Sequence, residues 1–125
     1  MHNIRGMFWN SEGFRDPGKH FFVQESIRER KLDFLALSET GRSNFAAPFL
    51  SHLASGLDFV WFCLPPRGRS GVMLIGINSS TLQVKNVDVG DFCVKLYVRS
   101  TSDGFEWVLV SVYGASQDEF KPQFL

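Results

Sequence analysis

The stretch Leu32 to Thr40, LDFLALSET, is a run of apolar residues that opens with Asp33 and stops abruptly at the carboxylate Glu39. Alternating polar positions would mark a strand with one wet face. Their absence over Phe34 to Leu37 predicts a buried core strand. Such a strand delivers one charged group, Glu39, to the edge of a sheet.

Upstream, Gly6 to Asn10, GMFWN, is a short apolar run ending in a polar amide, and Ser11 to Arg15 supplies Gly13 and several polar side chains. The pattern predicts strand, then loop. Asp16 and Pro17 predict a helix start, because an Asp oxygen can cap free N–H groups and Pro is tolerated at the first helical position. The helix is expected to reach about Arg30, with Phe22, Val23 and Ile27 inward. Asp16, Glu25, Arg28, Glu29 and Lys31 form its capped, solvated face. Strand, helix, strand in this order predicts a right-handed crossover between parallel strands, which brings Asn10 and Glu39 to the same sheet edge.

Downstream, Phe45, Phe49, Leu50, Leu53 and Leu57 give a second helical pattern, shortened by Pro48 and closed by Gly56. Phe59 to Leu64 reads as a strand stopped by Pro65 and Pro66. Arg67 to Gly71, RGRSG, is a loop before the apolar strand Val72 to Ile77. Leu82 to Val89 alternates with one slip, as a bulged strand does. Phe92, Val94, Leu96 and Val98 alternate with Cys93, Lys95, Tyr97 and Arg99, and Asp103-Gly104 turns the chain into Trp107 to Tyr113, a hairpin. Asp118 to Leu125 reads as the opening of a further helix, so the C-terminus is expected to be cut rather than finished.

The 125 residues allow one domain with a real core, and 44% hydrophobic with 21% charged residues place it among folded chains. Thirteen basic and thirteen acidic residues cancel, which excludes general attraction to nucleic acid or acidic membranes; any nucleic-acid contact must be local. Cys63 and Cys93 lack C-x-x-C spacing and read as buried, reduced thiols, hence an intracellular protein. No apolar run is long enough to span a bilayer, so no membrane role is expected. Trp9, Trp61, Trp107 and most of the thirteen Phe are expected in the core.

Four pieces of this sequence, in order, resemble the endonuclease/exonuclease/phosphatase superfamily, and most closely the endonuclease domain of plant LINE-type, non-LTR retrotransposon polyproteins. Trp9 to Gly13 is similar to that family's W-N-x-x-G, and Asp33 to Thr40 to its D-x-x-x-L-x-E-T. Gly68 to Val72 resembles G-x-S-G-G, and Val112 to Ser116 resembles V-Y-G-P-S or V-Y-G-P-N. Three positions depart from the pattern: Glu12 stands where Arg is frequent, Val72 replaces the second Gly and Ala115 replaces Pro.

The resemblance implies an α/β fold, an incomplete four-layer α/β sandwich of two β-sheets with flanking helices. Residues 1–125 would form a single partial domain, its N-terminal half. It implies Mg²⁺-dependent hydrolysis of a DNA phosphodiester in the parent domain and, with retrotransposon origin, a nuclear location. Glu39 would anchor the metal, since Mg²⁺ takes oxygen ligands and keeps several waters. Asn10 would assist at the metal or orient phosphate without adding negative charge, and Tyr113 would donate to a phosphate oxygen. Arg42 is a further candidate for a backbone phosphate.

The family's D-x-N, which activates the attacking water, and its S-D-H do not occur in this sequence. His2, His20 and His52 fall on the start of the chain and on two helix surfaces, so the chain alone is expected to lack its general base and be inactive. Uncovered sheet faces would favour self-association. Two alternatives remain: a non-catalytic remnant or binding module, and a phosphatase branch of the same superfamily.

Overall fold

The computed structural model describes residues 3–41, 44–64 and 72–112. Strand β1 (Gly6–Asn10) leads through helix α1 (Pro17–Arg30) to β2 (Phe34–Ser38), and helix α2 (Ala47–Leu53) to β3 (Phe59–Leu64). Four more strands follow: β4 (Met73–Asn78), β5 (Leu82–Val89), β6 (Cys93–Ser100) and β7 (Glu106–Val112). They form a four-stranded sheet in the order β1-β2-β4-β3 and a three-stranded sheet in the order β5-β6-β7. The pair β1/β2 is parallel, as the strand, helix, strand order predicts, and Gly6 to Asn10 pair in register with Phe34 to Ser38. The other pairings are antiparallel.

The unbroken apolar run of β2 has a two-sided explanation. Phe34 and Ala36 join Met73, Ile75 and Ile77 of β4 in a core shared with Leu82, Val94, Leu96, Val98 and Leu109 of the second sheet. Leu35, Leu37 and Leu74 point the other way, against Val23 and Ile27 of α1 and Leu53 of α2. β2 and β4 are therefore dry on both faces, and each fully buried Leu or Ile contributes about 1.5–3 kcal/mol of transfer free energy. The described residues make three layers, helices on sheet on sheet.

Asp16 caps α1 through its carboxylate, which accepts from Gly18 N at 2.8 Å, and the helix ends at Lys31 in a left-handed conformation. Glu25 and Glu29 pair with Arg28 on its exposed face. Val23, Ser26 and Ile27 are its buried residues, whereas Phe22, expected inward, is exposed and rests on Trp9 at 4.8 Å between ring centroids. Pro48 opens α2 rather than shortening it: it lies in the first turn, where a missing N–H costs nothing, so Phe45 falls before the helix and Leu57 after it.

The expected bulge in β5 is Lys85, skipped between the pairs Val84 with Val98 and Asn86 with Tyr97. The β6–β7 hairpin turns at Asp103-Gly104: Asp103 Oδ1 accepts from Phe105 N at 3.0 Å and Gly104 takes φ +74°. Most Phe residues were expected in the core, and that needs correction. Phe8, Phe21, Phe22, Phe92 and Phe105 are exposed, and only Phe14, Phe34 and Phe45 are buried among the described residues. No described helix is long and apolar enough to cross a membrane.

Candidate active site

Parallel pairing sets Asn10 opposite Ser38, so Glu39 leaves the sheet one residue beyond the end of β1. The ladder then continues into the two loops. Ser11 N donates to Ser38 O at 3.0 Å, Gly13 N to Glu39 O at 2.6 Å and Phe14 N to Thr40 O at 2.9 Å. Ser11, buried, adds its hydroxyl to Ser38 O at 2.9 Å and Glu39 O at 3.3 Å. From the far side Thr40 N donates to Val72 O at 3.2 Å. Loop and strand end are thus joined by backbone bonds on both flanks.

Glu39 is half-buried and takes φ +53°, a left-handed conformation that costs a non-glycine residue roughly 1–2 kcal/mol. Glu12 and Gly13, in the facing loop, are left-handed as well, at φ +49° and +93°. Strained backbone of this kind persists only where surrounding bonds hold it, and it gathers at functional sites. Asn10 is exposed, and its Oδ1 accepts from Glu12 N at 3.1 Å. That bond uses one of the oxygen's two lone pairs and leaves Nδ2 as a donor with no partner among the described residues.

The departure at Glu12 resolves toward solvent: the residue is exposed and no ion pair holds it among the described residues. Asp33, at the opposite end of β2, is buried and accepts from Arg5 N at 2.8 Å. That is a structural role, since it ties the chain before β1 to the start of β2. His20, expected on a helix surface, is instead half-buried; Nε2 bonds Phe14 O at 2.8 Å and the ring packs on Phe14 and Phe49. His52 is exposed, and its carbonyl accepts from Gln24 Nε2, joining α2 to α1. Cys63 and Cys93 form no disulfide among the described residues and are half-buried rather than buried, and burial pushes the Cys63 thiol above its ordinary range.

Of the expected site residues, Asn10 and Glu39 come together at one end of the four-stranded sheet. Tyr113, Arg42 and the Arg67 to Gly71 loop lie outside the described residues, as do Gly114 to Ser116 and the helix expected over Asp118 to Leu125. Among the described residues no group of three or more His, Cys, Asp or Glu side chains could hold a metal ion. The donor set that is present, one carboxylate and one amide oxygen, has the hard-oxygen chemistry that Mg²⁺ selects. A cleft of about 450 Å³, lined in part by Arg28, Lys31, Asp33 and Asn78, opens at the other end of the sheet.

No family model and no curated protein matches the chain. Solved structures do. TDP2 from D. rerio, complexed with a single-strand DNA product, superposes with a TM-score of 0.64 at 12% identity, over 90% of this chain and 46% of that one. AP endonuclease LMAP from Leishmania major gives 0.60 at 19% identity, over 90% and 40%. A functionally unknown conserved protein from Enterococcus faecalis V583 gives 0.55 at 9%, over 86% and 52%. The chain has the endonuclease/exonuclease/phosphatase fold. At these identities the likeness is one of fold, and the chain spans about half the length of the structures it matches or less. The two sheets with flanking helices expected for an endonuclease/exonuclease/phosphatase fold are the layers described above, with both described helices on the four-stranded sheet.

Sequence reasoning passed over Ser11 and Lys19, which hold the loop beside Asn10. Ser11 carries no sequence signal of burial. Lys19 carries a signal of another kind, a cation in the first turn of a helix, where the exposed N–H groups already concentrate positive charge.

Proposed function

We propose that this chain is the N-terminal half of an endonuclease domain from a plant LINE-type retrotransposon, whose parent cuts DNA by Mg²⁺-assisted hydrolysis. The single observation that carries the reading is the convergence of Asn10 and Glu39 on one sheet end, on backbone that is strained and held from both sides. DNA, rather than a phosphomonoester, is favoured because the neighbours named above include an AP endonuclease and a TDP2 bound to a DNA product.

Glu39 would hold the ion, with Asn10 Oδ1 contributing its remaining lone pair or Nδ2 donating to a phosphate oxygen. The bound ion supplies charge neutralisation at the phosphoryl group. Tyr113 would donate from the end of the last strand, and Arg42 would meet a backbone phosphate. The chain contains neither D-x-N nor S-D-H, so no residue in it serves as the water-activating base, and the parent's partner DNA is not cut by this half alone. The reading carries a nuclear location with it, and self-association of this half through its uncovered sheet face.

Plasmid nicking with Mg²⁺ tests the proposal. The 125-residue chain is expected to leave supercoiled DNA intact. The parent domain is expected to nick it and to lose about 100-fold or more with Glu39→Ala. Nicking by the 125-residue chain, abolished by Glu39→Ala, would show the second half to be dispensable. A parent domain indifferent to Glu39→Ala would remove the metal assignment.

A further inference from the structure

Three backbone carbonyls in the loop after β1 converge on one ammonium. Lys19 Nζ donates to Ser11 O at 2.5 Å, to Gly13 O at 3.1 Å and to Glu12 O at 3.3 Å. An ammonium has three donors, so these carbonyls can take all of them. Local preference opposes a lysine here: it sits in the first turn of α1, at the positive end of the helix, and that turn contains no acidic residue. The stabilisation that keeps it there comes from the loop just upstream, at Ser11, Glu12 and Gly13. Without the ammonium, three carbonyl dipoles of a loop with two successive left-handed residues would face one another with no donor between them.

The consequence reaches Glu39 through one bond. Gly13, whose carbonyl Lys19 holds, donates its N–H to Glu39 O at 2.6 Å, and Phe14 N donates to Thr40 O. Fixing the loop therefore fixes the peptide from which the Glu39 side chain projects, and with it the turn in which Asn10 Oδ1 meets Glu12 N. We propose that Lys19 is the positioning residue of this site, clamping the Ser11 to Gly13 loop so that Asn10 and Glu39 keep one mutual arrangement. The clamp stands on the geometry alone; its bearing on metal binding rests on the reading of Glu39 given above.

The test uses the 125-residue chain and two measurements. Amide hydrogen exchange reads the clamp at Gly13 and Phe14, with β6 amides as the internal reference. Broadening of the Glu39 and Thr40 amide signals by Mn²⁺ reads the metal site. Lys19→Met is expected to speed exchange at Gly13 and Phe14 by about ten- to a hundredfold while β6 is unchanged, the loss of charge-assisted hydrogen bonds. It is also expected to weaken Mn²⁺ broadening severalfold. Lys19→Arg, which restores the cation, is expected to recover both.

Unchanged exchange at Gly13 in folded Lys19→Met overturns the proposal, and so does equal acceleration in β6, the mark of general destabilisation. Absence of Mn²⁺ broadening in the wild-type chain sinks the metal reading of Glu39 while the exchange data still decide the clamp. Should Lys19→Met not fold, Lys19→Arg and Lys19→Gln give the same comparison: slow Gly13 exchange in the first and fast exchange in the second is expected, and equal rates overturn it.

Discussion

Trp61 lies across the backbone of Gly76 on the strand beside it, so closely that a Cβ there would stand 2.6 Å from the indole Cζ3. The strand Met73–Asn78 is central and buried, and neither the backbone nor an indole packed toward the helices can retreat without opening the layer behind it. Gly76→Ala is expected to destabilise the chain by about 1–3 kcal/mol through overpacking. The check is a lower urea midpoint at unchanged slope. Glu39 is the opposite case at the same scale, a residue kept in a conformation that glycine would adopt more readily. A sequence pattern carries no sign of φ, so the strain at Glu39 was invisible in LDFLALSET, although the placement of its carboxylate was not.

At the scale of elements, strand β5 reconciles an irregular sequence with a regular core. Leu82, Val84 and Val87 face the second layer, and the last of these departs from simple alternation. Lys85 absorbs the mismatch by standing unpaired. Deleting Lys85 leaves Leu82, Val84 and Val87 in strict alternation and closes the register, so the deletion is expected to change stability by less than about 1 kcal/mol. Thermal unfolding measures this, and loss of the folded state would show that the bulge itself shapes the sheet. The same balance of local and tertiary forces decides the aromatics. Phe8 and Phe21 occupy positions that alternation alone cannot assign to a face, whereas Phe92, aligned by alternation with Val94 and Leu96, falls just before the strand Cys93–Ser100; all three are exposed.

At the scale of the molecule, the described residues cover the four-stranded sheet on both sides and the three-stranded sheet on one. Val108, Val110 and Val112 stand 44%, 44% and 54% exposed on its outer side, along an edge strand. An apolar row along a strand at the edge of the described sheet favours association with another chain. Sedimentation is expected to find species larger than a monomer at micromolar concentration, and Val110→Lys, which places a charge in that row, is expected to shift them toward monomer. A compact monomer in both would contradict the expectation.

What the sequence by itself determined is the set of elements and the meeting of two of them. Hydrophobic period marks each strand and helix, and the handedness of a crossover makes β1 and β2 parallel, so Asn10 and Glu39 had to share an end. Those are local patterns and chiral rules, which act along the chain. Only the tertiary structure decided which faces stayed wet, that His20 packs among rings, and that Lys19 answers three carbonyls. The reason is physical: a glutamate unfavourable in its own backbone is held by Ser11 and Gly13, far from it in sequence, and a lysine unfavourable in its own helix is held by carbonyls just upstream that converge only once the loop has folded.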